Sequence, residues 1–207
     1  EDDYAMIDIA APGTAAGGVA GRAEHSVIDG GPIVNNAGET VPNVVNLLIT
    51  AAQDAQSAVI GGIAGENQAA AIARMTTLRT MLLAEGPEPI VGGMAGIHEG
   101  TSEAFLSRNF ADVLYIYTGN TAASAIVGGM IGLNERQSSD PAASPATGVS
   151  TLQNNRILGE IDARSPQAIV GGMAGVNRSL IANNSISDKI KVKLDADGGI
   201  IGGLAGL

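Results

Sequence analysis

The chain contains no cysteine among its 207 residues. Disulfide bonds, thiol chemistry and cysteine-ligated metal sites are therefore excluded. It also contains no tryptophan, and all aromatic residues together make up only 2% of it. Aromatic side chains supply much of the buried area of an ordinary core and the flat surface of a stacking site for bases or sugars. Their scarcity argues against both.

Positive charge and long apolar runs are scarce as well. The 11 Lys and Arg residues face 21 Asp and Glu residues, which gives a net charge of −10. Nucleic acids and anionic membrane surfaces require a basic face, so we expect neither as a partner. No apolar run approaches the roughly 18 residues that a membrane-spanning helix needs. Because the chain starts at Glu1 with no Met and no signal-like segment, we expect a processed piece of a longer precursor.

Small and aliphatic residues dominate instead, with 29 glycines. A five-residue signature, Gly-Gly-x-Ala-Gly or a close variant, starts near residues 17, 61, 92, 128, 171 and 202. Successive starts are 44, 31, 36, 43 and 31 residues apart. The sixth residue after the first glycine is also similar from copy to copy, as Asn67, His98, Asn134 and Asn177. This regularity is typical of a repeat protein.

Each signature is followed by a turn, a short segment that ends in polar residues, and a run with strand-like alternation. The clearest runs are 157–162 and 190–194, and 113–117 is a β-branched and aromatic version. We therefore predict three short strands per repeat. One such unit cannot bury its apolar face alone, so successive units must stack. The predicted fold is an all-β, parallel β-solenoid (β-helix) of about six coils, a single domain over residues 1–207. Extra residues, such as 138–145, form loops extruded from its corners.

Stacking places equivalent residues above one another at about 4.8 Å. We expect columns of glycine, which lets backbones approach closely, and a turn column of Asn, which tolerates left-handed backbone. The expected ladder consists of Gly61, Gly62, Gly65, Gly92, Gly93, Gly96, Gly128, Gly129, Gly132, Gly171, Gly172, Gly175, Asn67, His98, Asn134 and Asn177.

One segment conflicts with this pattern. Residues 67–85 have helical propensity throughout and could form an amphipathic helix. The register of the repeats instead places a strand at 78–83. We favour the strand, because neighbouring units template it and propensity is a weak guide.

The cycle IVGGMAGVNRSLIANNSISDKIKV, at 169–192, resembles the GLUG repeat of bacterial surface proteins. That glycine-rich motif occurs in adhesin-like proteins and in the non-catalytic region of IgA-specific metallopeptidases. The resemblance covers most of the chain and implies an exported cell-surface β-solenoid without catalytic residues. The chain departs from the motif at Ala23, where Asn is expected. The glycine after the Asn turn is present only at Gly100.

Other chemistries fit the residues less well. The signature lacks the spacing of a dinucleotide-binding loop and the Lys of a P-loop. His98 occupies the Asn column, which favours a structural role over metal binding or catalysis. Asp195 and Asp197 resemble the start of a calcium loop but lack its later ligands, so a turn is favoured and a calcium site is the alternative. Clustered carboxylates or a base beside Arg and stacking aromatics, as a glycan-cleaving site requires, are missing. We expect no cofactor and no enzyme activity.

The favoured function is a non-catalytic extracellular module: a stalk, adhesin segment or surface-fibre subunit for attachment or assembly. The alternative is an accessory binding domain of a secreted peptidase or glycan-active enzyme. Ile200, Ile201 and Leu204 belong to a last unit with no polar cap, and we expect them to form an assembly surface. End-to-end self-association or an adjoining domain would cover them. The alternating Lys189, Lys191 and Lys193 would add charge there, and a host or neighbouring cell could supply a further ligand.

Overall fold

A computed structural model describes residues 5–31, 33–34, 37–41, 44–100, 105–119, 123–136, 151–186, 190–195 and 198–207. These residues form strands and turns and no helix, and the main sheets are parallel. The all-β and parallel parts of the fold prediction are confirmed. The described part of the chain therefore contains no helix that could span a lipid bilayer. The loop expected at 138–145 lies outside the described residues.

The strands of the first half are β1 (Ala5–Ile9), β2 (Ala15–Gly17), β3 (Ala20–Glu24), β4 (Val27–Asp29), β5 (Ile33–Val34), β6 (Thr40–Val41), β7 (Val44–Val45), β8 (Leu47–Ala51), β9 (Val59–Gly61), β10 (Ala64–Gln68), β11 (Ala71–Ala73), β12 (Thr76–Ala84) and β13 (Ile90–Gly92). Those of the second half are β14 (Ala95–Gly100), β15 (Phe105–Ser107), β16 (Phe110–Thr118), β17 (Ile126–Gly128), β18 (Ile131–Arg136), β19 (Thr151–Gln153), β20 (Arg156–Ala163), β21 (Ile169–Gly171), β22 (Ala174–Asn177), β23 (Leu180–Ala182), β24 (Ser185–Ile186), β25 (Lys191–Leu194) and β26 (Ile200–Gly202).

Four parallel sheets each collect one strand position from successive repeats. Sheet A has the order β1-β8-β12-β16-β20-β24, with β7 beside β12 and β25 beside β20. Sheet B is β2-β9-β13-β17-β21-β26, sheet C is β3-β10-β14-β18-β22, and sheet D is β4-β11-β15-β19-β23. The antiparallel hairpin β5-β6 lies in the extra length of the 44-residue first unit. The strand preferred over a helix at 78–83 lies within β12.

The prediction of three strands per repeat is wrong, because the repeats contribute strands to four parallel sheets. The signature is a corner rather than one strand: β13 ends at Gly92, and β14 begins at Ala95. The chain turns between them over the second glycine and the variable residue x. The corner cannot be recognised from the sequence of the signature, because glycine and aliphatic residues occur in strands and in turns alike.

The core is aliphatic. Inward-facing Ile, Val, Leu, Met and Ala side chains of the sheets form one buried cluster. The variable residue of the signature points into it, and four consecutive copies are completely buried: Ile63, Met94, Met130 and Met173. Backbone hydrogen bonds continue through the corners, as from Met94 N to Met130 O at 2.8 Å. Successive repeats are thus joined by hydrogen bonds even where no strand is formed.

Each of the three glycines of the signature lies against a different neighbouring backbone atom, which leaves no room for a side chain. A side chain on the first, as at Gly92, would collide with a carbonyl oxygen of its own corner. One on the second, as at Gly93, would collide with the carbonyl of the equivalent glycine in the next repeat. On the third, a Cβ added to Gly96 would lie 2.9 Å from Ile60 N of the preceding repeat. The same contacts recur at Gly61, Gly62, Gly65, Gly128, Gly129, Gly132, Gly171, Gly172 and Gly175.

The second glycine column offers a matched pair of substitutions. In Gly129→Ala the new methyl group would strike the carbonyl of Gly172 and the Ile157 side chain, so two repeats would have to separate. We expect a loss of about 2 kcal/mol or more in the free energy of unfolding. Gly203 occupies the same position in the last repeat, and nothing lies within 4 Å of its added Cβ.

The control Gly203→Ala should therefore change stability by less than about 0.5 kcal/mol. Urea unfolding followed by circular dichroism measures both variants. Equal losses in the two variants would contradict the assignment of the collision to the next repeat.

Candidate functional site

The Asn column lies inside the molecule. Asn67, His98, Asn134 and Asn177 are register partners in β10, β14, β18 and β22 of sheet C. The first three are completely buried. They lie in strands and have no left-handed backbone, so their expected role as turn residues is wrong. Their side chains instead bond from repeat to repeat, as from Asn134 Nδ2 to Asn177 Oδ1 at 2.7 Å.

His98 replaces Asn in this column with a similar hydrogen bond. Asn67 Nδ2 donates to His98 Nδ1 at 2.9 Å, which places the ring proton of the neutral imidazole on Nε2. Burial lowers the pKa of His98 to about 3, because the surroundings do not solvate a charged ring. The side chain is therefore a neutral structural group near neutral pH. The other histidine, His25, is exposed at the turn after β3.

A second buried Asn column was missed by the sequence reasoning. Asn109 Nδ2 donates to Ile72 O, and its Oδ1 accepts from Met75 N, both at 2.9 Å. Asn155 bonds its preceding repeat in the same way, with Nδ2 to Leu106 O at 2.8 Å. Its Oδ1 accepts from Asn109 N at 3.0 Å. Each Asn thus closes the turn between sheets D and A and ties it to the neighbouring repeat.

Asn184 continues this column, since it donates to Leu152 O at 2.8 Å and accepts from Asn155 N at 2.9 Å. The sequence contained a signal for this second Asn column, because each short segment before the long strand ends in polar residues. Asn154 and Asn155 are adjacent, however, and composition does not tell which one points inward. The backbone decides: Asn154 takes the left-handed conformation and is exposed, whereas Asn155 is buried.

The few aromatic side chains lie on the outside. Every aromatic residue that the structure describes is half-buried or exposed, and none belongs to the core. Tyr115 and Tyr117 project from the outer face of sheet A with ring centroids 6.0 Å apart. The Arg164 guanidinium lies 5.4 Å from the centre of the Tyr117 ring. The scarcity of aromatics was therefore a poor argument against stacking surfaces, since none of these rings is used up in the core.

The acidic partner of this aromatic pair is Asp162. Arg164 holds its carboxylate through three hydrogen bonds of 2.8–3.3 Å, and the Tyr115 hydroxyl donates a fourth at 3.0 Å. The Arg164 hydrogen bonds, with a smaller contribution from Tyr115, lower the pKa of Asp162. Burial and the nearby carboxylate raise the pKa of Tyr115 to about 12. Every member is engaged by another, which indicates a structural cluster rather than an acid–base pair.

A pocket of about 270 Å³ lies on the outer face of sheet D. Its floor is formed by the small residues Ala73 and Ser107, which are register partners on β11 and β15. Asp29 and Gln153 continue this column on either side. The stacking of the repeats therefore places two larger polar residues, Asp29 and Gln153, on either side of the two small ones. The full lining is Asp29, Ala73, Arg74, Phe105, Ser107, Arg108, Gln153 and Asn154.

The two arginines of the pocket differ in their contacts. Arg74 forms a bidentate ion pair with Asp29, with Nε to Oδ1 at 2.8 Å, and the hydrogen bonds lower the pKa of that carboxyl. No described residue forms a hydrogen bond or an ion pair with the Arg108 guanidinium. Phe105, which is 37% exposed, also lines the pocket. Stacking thus brings two arginines that are separated along the chain to one pocket.

The calcium hypothesis gains no ligands from the structure. The Asp195 side chain is 71% exposed and lies 3.8 Å from the Lys193 ammonium. Asp197 and Lys189 are outside the described residues. Within the part of the chain that the structure describes, no three Asp, Glu or His side chains lie close enough to hold a metal ion. Lys191 and Lys193 instead face Glu160 and Asp162 of the preceding repeat.

The residues of the expected assembly surface are exposed at the last repeat. Ile200 is 42%, Ile201 52% and Leu204 47% exposed. They belong to β26, the edge strand of sheet B, and to the corner after it. At the opposite edge of sheet B lies β2, whose neighbouring Val19 is 51% exposed. Val19, Ile201 and Leu204 thus expose apolar groups at positions whose equivalents in the intervening repeats are buried.

None of the known protein-family models, curated proteins or solved structures matches this chain.

The inner Asn column makes a strong prediction. Asn155→Leu preserves approximate volume but leaves Leu106 O and the Asn109 N–H without their partner. Each buried unsatisfied group costs about 1–3 kcal/mol. We therefore expect unfolding to become easier by about 3 kcal/mol. The neighbouring Asn154→Gly, exposed and in left-handed backbone, should change stability by less than about 0.5 kcal/mol.

Chemical denaturation of both variants provides the comparison. If Asn155→Leu were as stable as Asn154→Gly, the buried hydrogen bonds would contribute nothing net to the fold.

His98 makes stability dependent on pH. Its pKa is about 3 in the folded chain and near 6.5 when unfolded, so below pH 6.5 the unfolded chain binds a proton that the folded chain does not. Stability should be unaffected by this group above pH 6.5 and fall by up to about 1.4 kcal/mol per pH unit below it. His98→Asn, which restores the residue of the other repeats, should remove this component.

Urea unfolding at pH 7 and pH 5 tests the difference, since carboxylates contribute alike to both proteins. We expect the wild type to lose about 2 kcal/mol more than His98→Asn over this interval. Parallel pH profiles would show that His98 becomes solvated before the chain unfolds.

Proposed function

We propose that the chain is a non-catalytic structural and adhesive module, a rigid parallel β-solenoid that acts outside the cell as a stalk or surface-fibre subunit. The observation that carries this proposal is the in-register parallel pairing of each repeat with the next on four sheets. In such an array every repeat is held by its neighbours, so length can grow without a new core. A spacer or fibre needs this property, and a catalytic centre does not.

The internal contacts support a mechanical role. Buried Asn side chains link successive repeats through hydrogen bonds that run along the stacking direction. The glycine corners bring backbones of neighbouring repeats into direct contact. Both kinds of contact oppose bending and separation of the repeats. Several acidic and basic side chains also form pairs between neighbouring repeats, as Lys191 does with Glu160 at 2.9 Å.

An exported location rests on composition and on the GLUG resemblance. A chain without cysteine and with few cations suits the outside of a bacterial cell, and the resembled repeats belong to surface proteins. In the segment at 169–192 the signature becomes β21, the corner and β22, and the polar continuation becomes β23 and β24. Membership in that family is part of the proposal. So is the alternative of an accessory binding domain, which the pocket on sheet D favours.

The proposed partner is another repeat edge of the same kind. β2 is Ala15-Ala16-Gly17 and β26 is Ile200-Ile201-Gly202, and both pair in the same register with their inner neighbours. The β2 edge of a second copy can therefore continue sheet B beyond β26 with the spacing of about 4.8 Å. Burial of Ile201 and Leu204 at the junction would stabilise the association by roughly 25 cal/mol per Å² of apolar surface removed from water.

The double variant Ile201→Lys, Leu204→Lys tests this assembly. We expect the wild type to show scattering that grows with concentration and elongated particles by electron microscopy, because end contacts bury these side chains. The variant should remain monomeric, since two ammonium groups would be buried at the junction. Gln153→Lys, Asn154→Lys adds the same charge on a lateral face and should assemble like the wild type.

Small-angle scattering of the monomeric variant measures the particle shape independently. A rod-like distance distribution supports the solenoid, and a compact one contradicts it. A wild type that stays monomeric at high concentration would refute end-to-end assembly. The rod shape would still be tested separately by small-angle scattering.

A further inference from the structure

We infer that the pocket on sheet D binds an acidic sugar residue, a hexuronic acid of a cell-surface polysaccharide. This inference deepens the proposed adhesive function and rests on it for the biological setting. The site itself rests on Phe105, Arg108, Gln153 and Asn154, and on the ion pair of Arg74 with Asp29.

The shape of the pocket suits a single ring. A volume of about 270 Å³ is just below the range of sites that enclose drug-sized ligands. The small side chains of Ala73 and Ser107 create this hollow between the larger residues on either side of them. Because the site is open on the outer face, a ring within a longer chain could enter while its neighbours continue along the surface.

The chemistry of the walls suits a pyranose. The ring presents an apolar face of C–H groups, which packs against an aromatic ring, and Phe105 offers an exposed one. Its rim of hydroxyl groups needs both donors and acceptors. The amides of Gln153 and Asn154 supply both, and both residues are exposed.

The charge of the pocket selects an acid. Arg74 is neutralised by Asp29, so Arg108 leaves the lining with one uncompensated positive charge. A guanidinium binds a carboxylate through two parallel hydrogen bonds, and this geometry is the one a uronic acid can satisfy. The chain as a whole is acidic, with a net charge of −10. Recognition must therefore come from this short-range contact, because long-range attraction is of the wrong sign.

The repeat itself provides conservative variants for the test. Arg108 lies in a left-handed column whose next members are Asn154 and Asn183, so Arg108→Asn keeps a residue that this backbone accepts. Phe105 pairs with Thr151 in the next strand, so Phe105→Thr keeps a residue of the same column. Arg178→Asn is the charge-matched control, since it removes one arginine from a different sheet surface, where Arg178 pairs with Glu135.

Titration calorimetry with tetragalacturonate in 0.15 M salt measures the site, with cellotetraose as the neutral probe and sodium acetate as the anion alone. We expect saturable binding of tetragalacturonate by the full chain, at least tenfold weaker in Arg108→Asn and at least threefold weaker in Phe105→Thr. Arg178→Asn should change the affinity less than twofold. Circular dichroism and the melting temperature verify that each variant is folded.

Several results would overturn the inference. These are no binding at millimolar tetragalacturonate, equal binding of cellotetraose, equal losses in Arg108→Asn and Arg178→Asn, or displacement of the tetrasaccharide by equimolar acetate. Failure of the site is separable from failure of the proposed function, because the rod shape and end-to-end assembly are measured on the unliganded chain. A rod that binds no uronate retains its structural role and loses only this ligand.

Discussion

The contact on which the rest of the molecule depends is the approach of successive glycine corners. Neighbouring repeats must lie about 4.8 Å apart for their backbones to share hydrogen bonds. At the corner no side chain can be accommodated in that gap, as the carbonyl contacts of Gly93 and Gly129 with their neighbours demonstrate. Once the corners are in contact, the strands on both sides are brought into register, and all four sheets follow.

This constraint also explains the unusual composition. A narrow interior lined by short parallel strands has room for Ile, Val, Leu, Met and Ala, and these residues fill it. Two columns of Asn and His side chains place polar groups in the interior, where they bond from one repeat to the next. The described aromatics are excluded from the core and remain on the outer faces. A chain poor in aromatics can therefore still present them where a ligand would meet them.

Several features could be predicted because the repeat makes them common to all copies. The spacing of the signatures led to parallel stacking and to the strand at β12, against its helical propensity. Features that depend on which way one residue points could not be predicted. Asn154 and Asn155 are identical in type, and only the left-handed backbone of the former separates the exposed residue from the buried one. The division of each signature into two strands was also hidden, because glycine and aliphatic residues occur in strands and in turns alike.

The sequence by itself determined the repeat, its period, the aliphatic and glycine-rich material, and which residues become equivalent from unit to unit. These are properties of spacing and residue type, and both can be read along the chain. The tertiary structure alone decided the pocket on sheet D. Asp29, Arg74, Arg108 and Asn154 lie far apart in sequence, and they meet because stacking places equivalent positions of successive repeats on neighbouring strands of sheet D. Whether Arg108 is paired depends on its neighbours in adjacent repeats, and residue type carries no information about them.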